Sequence, residues 1–199
     1  MAGGRQLQFD KQYALEQAML IFWEKGFVGT SLSELTIKMG INKPSLYATF
    51  GNKEELYVSA TQHYIEQHAT PHIKLLHTEN QSFKTRLKDY LSSIATMLCD
   101  ESNPGGCYVA VALNELAGES LPPKACQTIL DASQFAENYL KEFVTVEINK
   151  GELKTELKAE ELSLMLFTFL HGIAAIARNG KSLQQIQSAI DIFVKTLKV

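Results

Sequence analysis

Two helix starts, a glycine exit and a third helix start are packed into the stretch from Thr30 to Lys53, TSLSELTIKMGINKPSLYATFGNK, and the residues just after it. Ser31 and Glu34 stand at the spacing in which each side chain bonds the other residue's backbone N–H. A helix is therefore predicted to begin at Leu32 and to carry Leu32, Leu35 and Met39 inward. Gly40 supplies the permissive backbone of a helix exit. Ile41 reads as a buried pin for the turn, Asn42 as the cap of the next helix, and Pro44 falls in its first turn, where a missing N–H costs little. That second helix is expected over about Lys43 to Phe50. At about 100° per residue Leu46 and Phe50 share an inward face. Pro44, Ser45 and Ala48 then lie opposite, with Tyr47 and Thr49 on the flanks. Asn52 with Glu55 repeats the capping pair and opens a third helix.

Two short helices across a tight turn, the second with a low-relief outer face, match the helix-turn-helix, whose second helix enters the DNA major groove. Ahead of it, Asp10 can cap a helix running to about Lys25, with Leu15, Ala18, Met19, Phe22 and Trp23 at helical spacing and Gly26 closing it. Gly3 to Gln8 form an arm containing Arg5. It reads either as a disordered terminus or as an arm reaching phosphate or the minor groove. Charge supports neither side: the chain carries a formal net charge of −3 over 199 residues. Residues 1–55 balance Arg5, Lys11, Lys25, Lys38, Lys43 and Lys53 against Asp10, Glu16, Glu24, Glu34, Glu54 and Glu55, where a nucleic-acid module is usually basic.

These residues carry a family resemblance. Phe9-Asp10, Ala14-Leu15, Phe22, Gly26-Phe27, Thr30-Ser31-Leu32, the run Gly40 to Tyr47 and the run Phe50 to Leu56 together resemble the DNA-binding domain of the tetracycline-repressor (TetR) family of bacterial transcriptional regulators. The resemblance implies an all-α homodimer with an N-terminal three-helix DNA-binding domain, residues 8–67, whose helix-turn-helix covers about 31–50. A C-terminal helical domain, residues 68–199, would bind an effector and dimerise. The implied function is a repressor released from double-stranded operator DNA by a small molecule. Carried over by position, Lys43, Ser45, Ala48 and Thr49 would meet bases and nearby phosphates. Thr30 or Ser31, Tyr47 and Lys53 would meet phosphate, and these side chains can donate to it. Tyr47 packing on a neighbouring helix, and Lys53 as an ordinary solvated helix start, remain the plain alternatives. With no Arg, Asn or Gln on the outer face, bidentate base readout is poor, and recognition is expected to lean on thymine contact and DNA shape.

The rest of the chain reads as helices. One runs from Lys53 to about His77 with a kink at Pro71; by the resemblance it joins the two domains. It holds His63, His68, His72 and His77, read as solvated or capping. His68 and His72 are spaced to share a metal but lack further ligands, so no metal is expected, and no cofactor. Ser82 opens a helix with Phe83, Leu87, Leu91, Ile94 and Leu98, ended by Glu101 to Gly106. A further helix follows from Cys107 to about Leu116, and another from after Pro123 to about Lys150. Tyr90, Met97, Tyr108, Leu113 and Tyr139, with Cys107, are candidate ligand-binding residues, since apolar walls with a few polar tips suit small molecules. Cys107 is either a small buried hydrophobe or a reactive thiol at a helix start. The second alternative, an electrophile-sensing repressor, is what a Gly-Cys at this place suggests in part of the resembling family.

The last two helices, about Ala159 to Arg178 and Ser182 to Lys198, have wide apolar faces. Leu162, Met165, Phe169, Ile173 and Ile176 on one, with Ile186, Ile190 and Phe193 on the other, are expected at a four-helix dimer interface. His171 within it reads as an interface or core histidine. The apolar stretch Leu162 to Ala177 is interrupted and shorter than about twenty residues, so no membrane partner is expected. No secretory signal is read at the start. Three cysteines without C-x-x-C spacing fit the reduced thiols of a cytoplasm. No nucleophile, base and orienting group stand at recognisable spacing, so an enzyme is not expected.

Overall fold

The computed structural model describes residues 9–116 and 118–198, so Arg5 and its arm lie outside the described residues. Among the described residues there is no β-strand. Helix α1, Lys11–Lys25, starts on the Asp10 carboxylate, which accepts from the N–H groups of Gln12 at 2.9 Å and Tyr13 at 3.2 Å. Helix α2, Leu32–Met39, carries both halves of the Ser31–Glu34 capping box and ends at Gly40, φ +66°. Helix α3, Lys43–Phe50, begins where Asn42 accepts from the Ser45 N–H at 2.9 Å. Helix α4, Lys53–Tyr64, opens with the Asn52–Glu55 box. There the Glu55 carboxylate folds back over Gly51, and a Cβ at that glycine would lie 1.7 Å from it. The box therefore requires glycine at 51.

The path onward to His77 stays helical but not uniform. A wide π turn, Ile65–Ala69, precedes α5, Thr70–Ile73, and a 3-10 turn, Lys74–His77, finishes it. Pro71 accounts for the change: it has no N–H to donate, and its ring clashes with the carbonyl four residues back. The backbone widens just ahead of it, and the Thr70 N–H bonds Ile65 O, five residues back.

Helices α6, Phe83–Leu98, α7, Tyr108–Leu116, α8, Pro123–Lys150, α9, Ala159–Arg178, and α10, Leu183–Thr196, complete the described fold. Two cores form. The first gathers Phe22, Trp23, Leu35, Leu46, Tyr57 and Tyr64 of the N-terminal helices with Tyr108 and Ala112 of α7 and Ala125 and Ile129 of α8. The second gathers Leu87, Leu91 and Ile94 of α6, Leu140 and Phe143 of α8, Leu166 of α9 and Ile190 of α10. Helix α8, with 28 residues, is about 42 Å long and belongs to both cores. A division at residue 67 thus follows the chain and not the packing.

Arg86 is buried in the second core, paired with the Glu147 carboxylate and donating to Leu76 O at 2.9 Å. Burial alone would raise the Glu147 pKa; the guanidinium overcomes it and holds the carboxyl below its usual value. This pair fixes the end of the 3-10 turn against α8.

The expected dimer face is corrected here. Leu162, Ile173, Ile186 and Ile190 are buried in their own chain's core, and a residue closed off within one chain has no surface left for another. Met165, Phe169 and Phe193 are partly buried, and Ile176 is exposed. The large apolar residues that face outward are Leu164 and Ile176 on α9 and Leu183 and Ile192 on α10, the last 65% exposed. Helix α9 is long and apolar enough to cross a membrane by length and composition. It nevertheless lays Leu162, Leu166 and Ile173 into the second core, as a core helix does.

Candidate nucleic-acid interface and internal cavity

The outer face of α3 follows from its two anchors. Leu46 and Phe50 are buried, which turns Lys43, Pro44, Tyr47 and Ala48 to solvent and leaves Ser45 and Thr49 at the edges. Tyr47 is 49% exposed, so it does not pack away on a neighbouring helix. Lys43 makes no ion pair among the described residues. The face is smooth, with one cation and one phenol.

Two other candidates turn inward. Thr30 is buried, its hydroxyl donating to Gly26 O at 2.6 Å and its N–H bonded to Phe27 O. No donor of Thr30 is left for a phosphate. The Lys53 ammonium donates to Phe27 O at 2.6 Å and sits 4.1 Å above the Phe27 ring. Burial lowers its pKa, opposed by the Glu115 charge. Ser31 keeps its hydroxyl within the capping box. Sequence reading missed Ile37, which is 75% exposed on α2. Its position two residues after Leu35, about 200° around the helix, was the available signal.

Between the second core and the irregular segment after α4 lies a cavity of about 130 Å3. Tyr90, Met97, Cys107 and Tyr139 stand in its wall. Tyr108 and Leu113 do not: α7 turns them to the first core, where the Tyr108 hydroxyl meets Thr61 Oγ at 3.1 Å. The sequence reading did not find Tyr64, His68, His72, Phe135, Phe167 or His171, which also stand in the wall. The expectation of solvated or capping histidines is corrected by packing for His63, His68 and His72, while His77 stays exposed. His63 is buried, 2.6 Å from the Glu16 carboxylate. His68 stacks on Tyr64 with its edge toward Trp23, His72 Nδ1 lies 2.8 Å from Ser93 Oγ, and His77 pairs with the Tyr139 hydroxyl. Burial lowers the pKa of His68, His72 and His171. His68, His72 and Met97 also line an outer groove with Glu16 and Asp100, forming a partition between groove and cavity. No group of side chains suited to hold a metal ion occurs among the described residues.

Cys107 immediately precedes α7 and accepts from the Tyr64 hydroxyl at 3.5 Å. Its neighbours tie the cavity to the end of α1. Gly106 O accepts from the Trp23 indole N–H at 3.1 Å. Arg178, at the end of α9, donates to Gly105 O at 3.0 Å and to the last-turn carbonyls of α1, Glu24 O at 2.8 Å and Trp23 O at 3.3 Å. The Glu115 carboxylate of α7 accepts from the N–H groups of Phe27 at 2.8 Å and Val28 at 3.1 Å. A cation on carbonyls at a helix C-terminus and an anion on the amides beyond it are each favourable.

Residues 14–60 match the family model described as bacterial regulatory proteins, tetR family. The chain is 31% identical over 183 residues to the HTH-type transcriptional repressor ComR of Escherichia coli K12, covering 92% of this chain and 86% of ComR. It is 26% identical over 183 residues to the HTH-type transcriptional repressor BdcR of the same organism, again 92% of this chain and 86% of the relative. Among solved structures, a cysteine-substituted form of the TetR family regulator CifR in complex with 26-base-pair operator DNA is similar, with a TM-score of 0.86 and 26% identity. That match covers 97% of this chain and 99% of CifR. With the α2–α3 geometry, the open α3 face and a relative matched over most of both chains, this chain belongs to the tetR family of bacterial regulatory proteins, DNA-binding transcriptional regulators.

Proposed function

We propose that the chain is a homodimeric repressor whose two α3 faces enter successive major grooves, about 34 to 36 Å apart, and that a small molecule in the cavity releases it from its operator. Lys43, Ser45, Tyr47, Ala48 and Thr49 are the DNA-facing residues in this reading. The N-terminal part to about residue 67 carries the reader and the remainder carries the effector site and the dimer face. One observation supports the coupling above all: Cys107 stands in the cavity wall, and the two residues just before it, Gly105 and Gly106, accept the Arg178 and Trp23 bonds at the end of α1. A ligand that moves this loop bears on the helix that positions the reader. Such release requires only that the ligand bind one arrangement of the dimer better than the other. The outward apolar side chains of Leu164, Ile176 and Ile192 on the last two helices favour a second copy as the covering partner.

The test uses a duplex selected by the protein from a random pool. Tyr47→Ala with Lys43→Ala is expected to weaken its binding at least tenfold at physiological salt, with the fold intact by circular dichroism. Undiminished binding would sink the placement of α3. The dimer face is tested by Leu164→Glu with Ile192→Glu in sedimentation, expected to give monomer; a persisting dimer overturns this face. Removing α9 entirely would also remove part of the second core, so it cannot serve here.

A second reading, release by an electrophile at Cys107, is favoured by one contact, the cavity-wall Sγ beside the Tyr64 hydroxyl. Cys107→Ser separates the two. Release by an electrophile that survives this change rules out the thiol switch.

A further inference from the structure

The cavity wall is informative about what it holds. Its volume, about 130 Å3, is close to the roughly 150 Å3 of a dry apolar cavity that takes one benzene. No Asp, Glu, Lys or Arg occurs among its described lining residues. The three imidazoles in the wall have pKa values lowered by burial, so they are neutral near pH 7. An ion placed there would give up its hydration with no opposite charge in the wall to meet.

Several polar tips around the cavity are already engaged. Tyr139 is paired with His77, Tyr64 donates to Cys107, and His72 bonds Ser93. Tyr90 differs. Its side chain comes from α6, is 8% exposed and stands in the cavity wall. Among the described residues its hydroxyl has no hydrogen-bond partner. Burial raises its pKa, so the O–H stays protonated. That hydroxyl opens on the cavity instead of being sealed in protein, so a ligand oxygen there meets a donor not already committed within the chain.

We propose that the cavity takes a small uncharged molecule, a single ring or its equivalent in size, bearing one oxygen that accepts a hydrogen bond from Tyr90. This deepens the effector reading and relies on it only for the consequence of binding at the DNA. Met97, Ile94 and Phe167 supply the apolar walls, and the His171 ring at the far side is half-buried beside Phe167. Carboxylates, alkylammonium ions and phosphorylated carriers are excluded from this cavity by the same absence of charge.

The experiment is calorimetric titration of the full chain at pH 7 with acetophenone, benzoate and benzylamine, three rings of similar size that are neutral, anionic and cationic. Acetophenone is expected to bind once per chain and at least tenfold more tightly than either ion. Tyr90→Phe, which keeps the ring and the packing, should weaken acetophenone about three- to tenfold, as one hydrogen bond does. The same variant should leave toluene, which has no acceptor, unchanged. Ala132→Phe, which fills the cavity, should abolish binding. The proposal is overturned if either ion binds as tightly as acetophenone, or if acetophenone shows no saturable binding. It is equally overturned if Tyr90→Phe leaves its affinity unaltered, or if Ala132→Phe does. Duplex release is measured alongside. Acetophenone bound without release overturns the effector reading and leaves the ligand class standing. Release by benzoate or benzylamine, abolished by Ala132→Phe, does the reverse.

Discussion

At the scale of single residues, two lysines flanking α3 have opposite fates, and they can be told apart by salt. The Lys43 ammonium is exposed, whereas the Lys53 ammonium is bound to Phe27 O over the Phe27 ring. Lys43→Ala should flatten the salt dependence of operator binding by about one unit of slope per subunit, the signature of a lost phosphate contact. Lys53→Met should leave the slope unaltered and lower stability instead; a flattened slope would show that Lys53 swings out to DNA. Glu34 carries a pH dependence. The Lys25 side chain, followed by the Ser31 N–H and hydroxyl, holds its carboxyl down at about 2 from an ordinary 4.5. A carboxyl whose folded pKa is depressed stabilises the fold above its unfolded pKa, and the benefit is lost as pH falls toward the folded value. The Tm difference between the chain and Glu34→Gln should therefore narrow between pH 4.5 and about 2. A difference constant across that window would exclude this role.

At the scale of elements, the segment that runs through the π turn ahead of Pro71 lays Tyr64, Ile65, His68, His72 and Ile73 along one cavity wall. Relative to an α-helix, one extra residue in a turn rotates everything after it by about 100°. Pro71→Ala restores the missing N–H, so the segment should relax toward α-helix. Amide exchange over residues 65–73 should slow at least tenfold, and acetophenone affinity should fall as His72 and Ile73 rotate away. Unchanged exchange would mean that packing, not proline, sets the turn. The same contrast explains what could be read in the sequence. The bounds of α2 and α3 were legible because a capping box needs only residues three apart, and Ser31, Glu34, Asn42 and Asn52 state them locally. The cavity wall was not legible, because it joins side chains remote in sequence, Tyr64 and His68 with Phe135 and His171, which no local spacing places together. Tyr108 and Leu113 were misassigned for another reason: Tyr108 to Leu113 is an unbroken apolar run, so no polar side chain marks which face of α7 meets which core. Helix α9 poses the same difficulty, and its inward Leu162 and outward Leu164 look alike in sequence.

At the scale of the whole molecule, the end of α1 is gripped by Arg178 from α9 and Glu115 from α7, two distant parts of the chain. Glu115→Ala leaves two backbone amides without their acceptor and should cost about 1–3 kcal/mol in chemical denaturation. On the proposed coupling, it should also weaken the dependence of operator affinity on cavity ligand. Intact ligand response in this variant would place the route elsewhere, along α4. The sharing of the first core has a consequence for synthesis. The reader is made first, yet its core is closed by Tyr108, Ala112, Ala125 and Ile129, residues translated after it. At about 5–20 residues per second, the reader helices wait several seconds beside the ribosome before their packing partners emerge. A chain interrupted in that interval holds a reader with an open side, so an abandoned fragment does not compete for the operator as a tight binder.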